Sequence, residues 1–180
     1  IFLKSLGHAN GIIEKKTTLP ILSNVLIQAQ NSKIKITATD LDIIYSEEIP
    51  VQSLTKEGST TTSASILYDI LRKLEANSKI EISLQTENKL KITSGNSKFN
   101  LLCISADNFP LSGEDVKQKS FEISSANMLK LLNKTRISIS NDETRHYLNG
   151  IYLHKTTVEN KSFLTSVATD SHRLSFSSLS

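Results

Sequence analysis

The sequence predicts an α+β protein built from repeated helix-plus-antiparallel-strand units, with the helices on one face of the sheets. Three observations predict this class. Apolar residues recur with a helical rhythm over residues 1–14, and apolar and polar residues alternate in the stretches that follow. A similar set of segments then returns about 126 positions later, since Leu22 and Leu148 occupy matching places in "LSNVLI" and "LNGIYL".

The first set of segments contains two helix-and-strand groups in succession. "SASILYDILRKLE" (63–75) is an amphipathic helix in which Ser63 or Ser65 is the N-cap. Asn88 and the pair Gly95-Asn96 provide turns between the later strands. The predicted helices cover residues 1–14 and 63–75, and the predicted strands cover 23–30, 33–39, 42–51, 79–85, 88–94 and 97–104.

The internal repeat carries a small insertion. Ala38 and Ala168, in the two "ATD" motifs, are 130 positions apart, whereas Leu22 and Leu148 are 126 apart. About four residues were therefore added where "QNSK" (30–33) is replaced by the longer "KTTVENKS" segment. A hairpin loop is the place where such a change is expected. The order and near-constant spacing of the matches predict a duplicated domain.

The domain boundary is predicted in the segment "NFPLSGEDVKQK" (108–119), which combines proline, glycine and charge as an interdomain connector does. The second copy restarts with a strand at "KSFEIS" and a helix over 125–136. It stops at Ser180, which matches about residue 50 of the first copy. We therefore expect one domain over 1–117 and the front part of a truncated second domain over 118–180.

Composition excludes several classes of protein. Hydrophobic residues make up 38% of the 180, and no apolar run approaches the roughly 18 residues that cross a membrane. The single cysteine, Cys103, excludes an internal disulfide and fits a reducing, cytoplasmic location. With four scattered histidines, no zinc-ligand pattern exists, and neither a metal nor a cofactor is expected. The net charge of +3 does not by itself indicate nucleic-acid binding.

"ATDSHRL" (168–174) raises the alternative of a hydrolase, because it places an acid, a hydroxyl and a histidine together. Successive side chains of a strand point to opposite faces, so such neighbours rarely form a triad. The presence of "ATD" in both copies favours a scaffold role instead. Thr39 and Asp40, like Thr169 and Asp170, are expected to close a strand end through side-chain to backbone hydrogen bonds.

Eight of the 21 basic residues lie on the predicted helices or in the loop after the first of them. Each could belong to a solvated helix face, which is the commoner role, and the fact that they share one type of element raises the alternative of sequence-independent phosphate binding. The candidates are Lys4, Lys15, Lys16, Arg72, Lys73, Lys130, Lys134 and Arg136.

Four segments together resemble the bacterial DNA polymerase III β subunit family, the sliding clamps: "TLPILSNVLI" (18–27), "TATDLD" (37–42), "RHYLNGIYL" (145–153) and "VATDSHRL" (167–174). The resemblance implies a DNA-clamp fold of three similar domains, and a ring formed by a head-to-tail homodimer with helices facing the hole. This chain would then hold the first domain without its opening strand and the front of the second domain. The third domain would be absent.

The resemblance also implies site residues. The peptide-binding groove would include Leu148, Thr169, Ser171, His172, Arg173 and Leu174. The two leucines would receive apolar anchors, although they could also be core residues. The family usually has glycine where this chain has Ser171, and often glutamine where it has Asp142.

Further implied contacts concern DNA and the dimer. Arg145 and Tyr147 would lie near DNA together with Lys16. "SKFNLLC" (97–103) alternates as an edge strand does, and its residues Phe99 and Leu101 would form the dimer seam.

The implied function is that of a non-catalytic processivity factor in DNA replication. It would encircle duplex DNA and tether the polymerase III catalytic subunit, the clamp loader and other proteins with clamp-binding peptides, with no cofactor and no membrane. Two alternatives remain open at the level of sequence. One is a β-rich peptide-binding protein without a DNA function, and the other is a hydrolase that uses His172 or His146.

Overall fold

The computed structural model describes residues 1–13, 18–111 and 121–180. The chain forms two compact units, Ile1–Glu114 and Asp115–Ser180. The domain boundary predicted after residue 117 lies in 112–120, outside the described residues.

In its described residues, the first unit contains two α-helices and one seven-stranded antiparallel sheet. The helices are α1 (Phe2–Ile12) and α2 (Ala64–Lys73), and the strands are β1 (Asn24–Gln30), β2 (Lys33–Thr39), β3 (Ile44–Pro50), β4 (Gly58–Ser63), β5 (Glu81–Thr86), β6 (Lys89–Ser94) and β7 (Ser97–Ile104). The strand order across the sheet is β3-β2-β1-β4-β7-β6-β5. Six of these strands agree with the alternation in the sequence.

Strand β4 was not predicted, because "GSTTTS" contains no apolar residue to reveal alternation. Its threonines are nevertheless buried in the middle of the sheet. Thr61 Oγ1 donates to the carbonyl of Ile104 at 2.8 Å, and Thr62 Oγ1 donates to the carbonyl of Leu102 at 2.9 Å. These bonds satisfy the buried hydroxyls and make an apolar side chain unnecessary at these positions.

The two helices pack against each other and share one hydrophobic core with the sheet. Leu6 of α1 and Leu67 of α2 are fully buried in that core. The helices approach closely where a methyl group at Gly7 would lie 3.4 Å from the Tyr68 ring. Ser65 Oγ also donates to Asn10 Oδ1 at 3.2 Å. The predicted α+β class is confirmed, with helices packed side by side on antiparallel strands.

Over residues 121–180, the second unit contains one α-helix and a three-stranded antiparallel sheet of order β10-β9-β8. The elements are α3 (Ser125–Thr135), β8 (Tyr152–Val158), β9 (Lys161–Thr169) and β10 (Leu174–Leu179). Ser124 caps α3 by accepting a hydrogen bond from the Asn127 N–H at 3.3 Å. The helix is joined to the sheet where Ser166 Oγ donates to the Leu131 carbonyl at 3.2 Å.

The strand predicted at "KSFEIS" is wrong for its described part, because residues 121–124 form no strand. A strand requires a neighbour for its backbone hydrogen bonds. Among the described residues, none pairs with this stretch.

The hairpins of the two units show where the insertion occurred. Both have a two-residue turn with left-handed backbone, Asn31-Ser32 (φ 50° and 58°) and Glu159-Asn160 (φ 48° and 62°). Asn31 and Glu159 are 128 positions apart, midway between the spacings of 126 and 130 on either side. Two residues were therefore added on each side of an unchanged turn, so the predicted longer loop is wrong. An even number keeps each side chain on its own face of the sheet.

The edge-strand prediction for residues 97–103 is wrong for β7 as a whole, because this strand lies between β4 and β6. It pairs with β4 only through Cys103 and Ile104, however, and the part before Cys103 pairs only with β6 among the described strands. Leu101 is 5% exposed and faces the core of its own unit, whereas Leu102 is 86% exposed. Alternation in a sequence shows two faces of a strand but not which neighbours cover its sides.

Candidate functional site

The "ATD" motif of the second unit closes the turn between β9 and β10. Asp170 Oδ1 accepts hydrogen bonds from the backbone N–H groups of His172 at 3.0 Å and Arg173 at 2.9 Å. Thr169 Oγ1 donates to the Arg173 carbonyl at 2.7 Å and accepts from the Ser171 N–H at 3.1 Å. The scaffold role predicted for these residues is confirmed.

The first unit builds the same turn from its own copy of the motif. Asp40 Oδ1 accepts from the N–H groups of Asp42 at 3.0 Å and Ile43 at 2.7 Å. Thr39 Oγ1 accepts from the Leu41 N–H at 3.0 Å. Leu41 has a left-handed backbone with φ 84°. The two turns share this backbone, and the side chains that they display differ.

Ser171 occupies the left-handed position of the second turn, with φ 78°. This backbone favours glycine and costs other residues on the order of 1–2 kcal/mol. Its hydroxyl accepts a hydrogen bond from Arg145 Nη1 at 3.0 Å. Ser171 is thus bonded to an arginine and Asp170 to backbone N–H groups, whereas a catalytic triad requires both to be bonded to a histidine side chain. The hydrolase alternative therefore lacks its required geometry.

The turn makes Asp170 a stronger acid. The hydrogen bond from the Arg173 N–H, followed by that from the His172 N–H, lowers the pKa of Asp170 from 3.8 to about 2. The Arg173 side chain adds an ion pair, with its Nε 2.9 Å from Asp170 Oδ2. The ionised carboxylate is therefore the form that holds this turn together.

A pH-dependent contribution to stability follows from that lowered pKa. Because ionisation is favoured in the folded state, the contribution is present above pH about 4 and is lost as the pH falls towards 2. Asp170→Asn retains an acceptor oxygen but cannot ionise. Urea unfolding of both proteins at several pH values should show the wild-type advantage shrinking between pH 4 and 2. An advantage that does not change with pH would contradict this account.

The segment Glu143–Leu148 lies beside the turn and is shaped by Asp142, which caps it. Asp142 Oδ1 accepts from the Thr144 N–H at 3.0 Å, and Oδ2 lies 2.9 Å from Arg145 Nε. The Thr144 hydrogen bonds are the main reason that the pKa of Asp142 is lowered. At Arg145 the backbone leaves the helical region (φ −107°, ψ 54°), which divides the segment into two short turns.

The structure leaves the predicted groove residues largely accessible. Ser171, His172 and Arg173 are exposed, and Leu174 is 62% exposed, so this leucine is not a core residue of the unit. Thr169 and Leu148 are half-buried. The Leu148 carbonyl accepts a hydrogen bond from the Ser140 N–H at 3.1 Å, which anchors the end of its segment.

Two exposed aromatic residues near these positions were missed by the sequence analysis. Phe176 is 70% exposed, and it lies two residues after Leu174, on the same face of β10. Tyr152 is 68% exposed and lies in the same cross-strand row, since both residues pair with Val167 of β9. The alternating spacing of Leu174 and Phe176 is the signal that could have indicated this face.

The basic candidates of the first unit lie on its helices where they are described. Lys4 is exposed on α1, and Arg72 and Lys73 are exposed in the last turn of α2. Arg72 also pairs with Asp69 at 3.0 Å, so its charge is partly neutralised. Lys15 and Lys16 lie outside the described residues.

The basic candidates of the second unit fall into two groups. Lys130 and Lys134 are exposed on α3, and Arg136 is exposed directly after it. Tyr147 is 73% exposed. Arg145, by contrast, is half-buried and engaged by two side chains of its own unit. The structure therefore places Arg145 in contact with Ser171, one of the groove candidates.

Comparison with known families accounts for both units. Residues 1–112 match the model of the DNA polymerase III beta subunit N-terminal domain, and residues 122–180 match that of its central domain. The chain belongs to the DNA polymerase III beta subunit family. The two halves of the internal repeat thus correspond to two successive domains of a beta subunit.

Individual relatives give the same result. The beta sliding clamp of Caulobacter vibrioides is 36% identical over 178 residues, which cover 98% of this chain and 48% of that protein. The beta sliding clamp of Rickettsia felis is 37% identical, over 97% of this chain and 45% of that protein. The structure of the Bartonella birtlesii beta subunit bound to griselimycin is 40% identical, with a TM-score of 0.88 over 99% of this chain and 47% of that one. The chain spans about half the length of these relatives.

Within residues 1–13, 18–111 and 121–180, no helix is long and apolar enough to cross a membrane. In the same ranges, no group of three or more His, Cys, Asp or Glu side chains could hold a metal ion.

Proposed function

We propose that this chain is part of a processivity clamp, a homodimeric ring that encircles duplex DNA in the cytoplasm and tethers replication enzymes without catalysing a reaction itself. The match of two successive beta subunit domains carries this proposal. In it, residues 1–117 form the first domain and 118–180 the front of the second. The partners are duplex DNA, the polymerase III catalytic subunit, the clamp loader and other proteins with clamp-binding peptides.

The DNA surface proposed here consists of the exposed cations on α1, α2 and α3. Phosphate contacts bind a duplex without reading its sequence, which is what a sliding protein requires. The two copies of the helix-and-strand unit support the proposal, because each offers exposed lysines on a helix, Lys4 and Lys73 in one and Lys130 and Lys134 in the other. Tyr147 and the lysines 15 and 16 complete the proposed surface.

The salt dependence of DNA binding tests this surface. In the full-length ring, replacing Lys16, Lys130 and Lys134 with alanine should weaken duplex binding and reduce the slope of log K against log salt concentration by about 2–3. The measurement is fluorescence anisotropy of a labelled duplex across a salt series.

A matched control removes three lysines outside the helices. Lys56, Lys89 and Lys161, replaced together with alanine, produce the same change in net charge. We expect that variant to keep the wild-type slope. An equal loss in both triple variants would mean that binding follows net charge, and an unchanged slope in the first would assign its lysines to a solvated face.

The peptide groove is proposed at Leu148, Thr169 and Ser171 to Leu174. Exposed leucine beside exposed polar residues provides the apolar anchor site and polar rim that peptide recognition requires. A solved relative that binds griselimycin indicates that beta subunits have a site for such a ligand.

The alternative, a peptide-binding protein without a DNA function, predicts intact peptide binding and no processivity in a polymerase assay with the full-length protein.

The dimer seam is proposed at the start of β7, around Phe99. This residue is half-buried, and the strand before Cys103 has one side without a pairing strand among the described residues. An unpaired strand side can be completed by a strand of another subunit. Leu101 is part of the same proposal, although its side chain is buried within its own unit.

A further inference from the structure

The Arg145 side chain connects two segments of the second unit, Glu143–Leu148 and the turn between β9 and β10. Its Nε donates to Asp142 Oδ2 at 2.9 Å, and its Nη1 donates to Ser171 Oγ at 3.0 Å. The first partner precedes the segment Glu143–Leu148, and the second belongs to the turn between β9 and β10. The two partners are separated by 29 positions in the chain, and Arg145 connects them directly.

We infer that Asp142, Arg145 and Ser171 form a latch that holds the segment Glu143–Leu148 against the turn between β9 and β10. Asp142 and Ser171 are positioning residues in this latch, because both act through the Arg145 guanidinium. One consequence of the latch rests on the proposed function. If the peptide groove lies where we propose, the latch holds Leu148 in place beside the other groove residues.

The backbone at Ser171 supports a specific role for its hydroxyl. The residue adopts φ 78°, a conformation in which glycine would be less strained. Glycine, however, has no acceptor for Arg145 Nη1. The equivalent turn of the first unit has Leu41 at φ 84°, and no arginine within residues 1–13, 18–111 and 121–180 bonds to it. The left-handed backbone therefore does not require a serine, whereas the latch does.

The local bonds around Arg145 make the connection rigid. The Asp142 carboxylate uses Oδ1 for the Thr144 N–H and hydroxyl, at 3.0 and 2.6 Å, and Oδ2 for Arg145. A guanidinium has five N–H groups, and two of them form the latch, one bonded to the Asp142 carboxylate and one to the Ser171 hydroxyl. Arg145 is thereby assigned to the turn rather than to the DNA surface, and Tyr147, which is 73% exposed, stays available to the DNA surface.

Hydrogen exchange on the 180-residue chain tests the latch without DNA or peptide. Ser171→Gly should increase the exchange of the backbone amides of Arg145 to Leu148 about tenfold, since one bond to a charged group is lost. Arg145→Gln should increase it at least as much. The double variant should exchange no faster than Arg145→Gln alone, because both changes break the same connection.

Two further variants serve as controls. Leu41→Gly relieves the same kind of backbone strain in the turn of the first unit and should leave exchange in Arg145 to Leu148 unchanged. Asp142→Asn retains a carbonyl oxygen for the Thr144 cap but weakens the bond to Arg145. It should therefore increase amide exchange in Arg145 to Leu148, as Arg145→Gln does. Wild-type exchange in Ser171→Gly, or additive effects in the double variant, would overturn the latch.

Peptide titration of the full-length protein tests the consequence for the groove. With a synthetic clamp-binding peptide from the polymerase III catalytic subunit, Ser171→Gly should lower affinity several-fold and leave the salt slope of DNA binding unchanged. If Ser171→Gly has faster amide exchange but the wild-type peptide affinity, the latch exists and does not position the peptide groove. Absence of peptide binding in the wild type would refute the proposed groove, and the exchange result would still decide the latch.

Discussion

Leu101→Asp should abolish the cooperative folding of the first unit, whereas Leu102→Asp, at the next position, should change its stability by only about 0.5 kcal/mol. Leu101 is 5% exposed and belongs to the core that α1, α2 and the sheet share. Removing a buried leucine costs about 2–5 kcal/mol, and burying an unpaired carboxylate costs several more. Their sum approaches the total stability of a typical domain, about 5–15 kcal/mol. Leu102 is 86% exposed and has little burial to lose.

Urea unfolding of the 180-residue chain, followed by circular dichroism, measures this difference. The two variants have the same chemical change on adjacent residues of β7 and therefore serve as each other's control. A stable Leu101→Asp protein would mean that Leu101 does not face the core.

The proposed dimer seam has to be tested at Phe99, because a charge at Leu101 would unfold the subunit. Because Phe99 also packs against the core of its unit, the variant is Phe99→Ala, which places no charge there. In the full-length protein, Phe99→Ala should shift the dimer towards monomer in sedimentation, with circular dichroism as the check on the fold.

The 180-residue chain should bind a clamp-binding peptide at least about 100-fold more weakly than the full-length protein. We propose that this chain contributes one wall of the groove, which includes the exposed Leu174, and that parts of the full-length protein outside this chain contribute the other wall. Burial of apolar surface contributes about 25 cal/mol per Å², so an anchor that stays half-exposed forfeits part of its contribution. A loss of about 3 kcal/mol over two anchors corresponds to roughly a 100-fold loss of affinity. Calorimetric titration of both proteins provides the comparison.

Single substitutions in the full-length protein locate the effect within the wall. Leu148→Ala should lower peptide affinity about tenfold, and His172→Ala should lower it less, because a polar residue at the rim contributes less than an apolar anchor. Leu102→Ala removes an exposed leucine of the first unit and is the matched control for Leu148→Ala. DNA affinity should remain at the wild-type value in all three. Equal peptide affinity in the 180-residue chain and the full-length protein would contradict a two-walled groove.

Local patterns predicted most of the secondary structure because helices and half-buried strands have short periods. The alternation in β2 and β6 and the helical spacing in α2 are visible within a dozen residues. The "ATD" turns were predicted for the same reason, since Asp170 reaches backbone groups only two and three residues away. The repeat added long-range information, because equal spacing between matched motifs does not depend on knowing the fold.

Other features could not be predicted because they depend on segments that are distant in the chain. Strand β4 has no apolar residue, and its threonines are buried only because Ile104 and Leu102 supply carbonyl acceptors about 40 positions away. The interior position of β7 depends on its pairing with β4 and β6. An alternating sequence is equally consistent with an edge strand.

The sequence by itself determined the α+β class, the duplicated units and the family to which the chain belongs. Each of these is carried by local periodicity or by motifs at matching positions. The tertiary structure alone decided which face of β7 is buried, so that Leu101 lies in the core and Leu102 in solvent. It also decided that Arg145 meets Ser171, 26 positions away. The physical reason is that the partners of a side chain are set by which segments the fold brings together, and spacing within one segment carries no information about them.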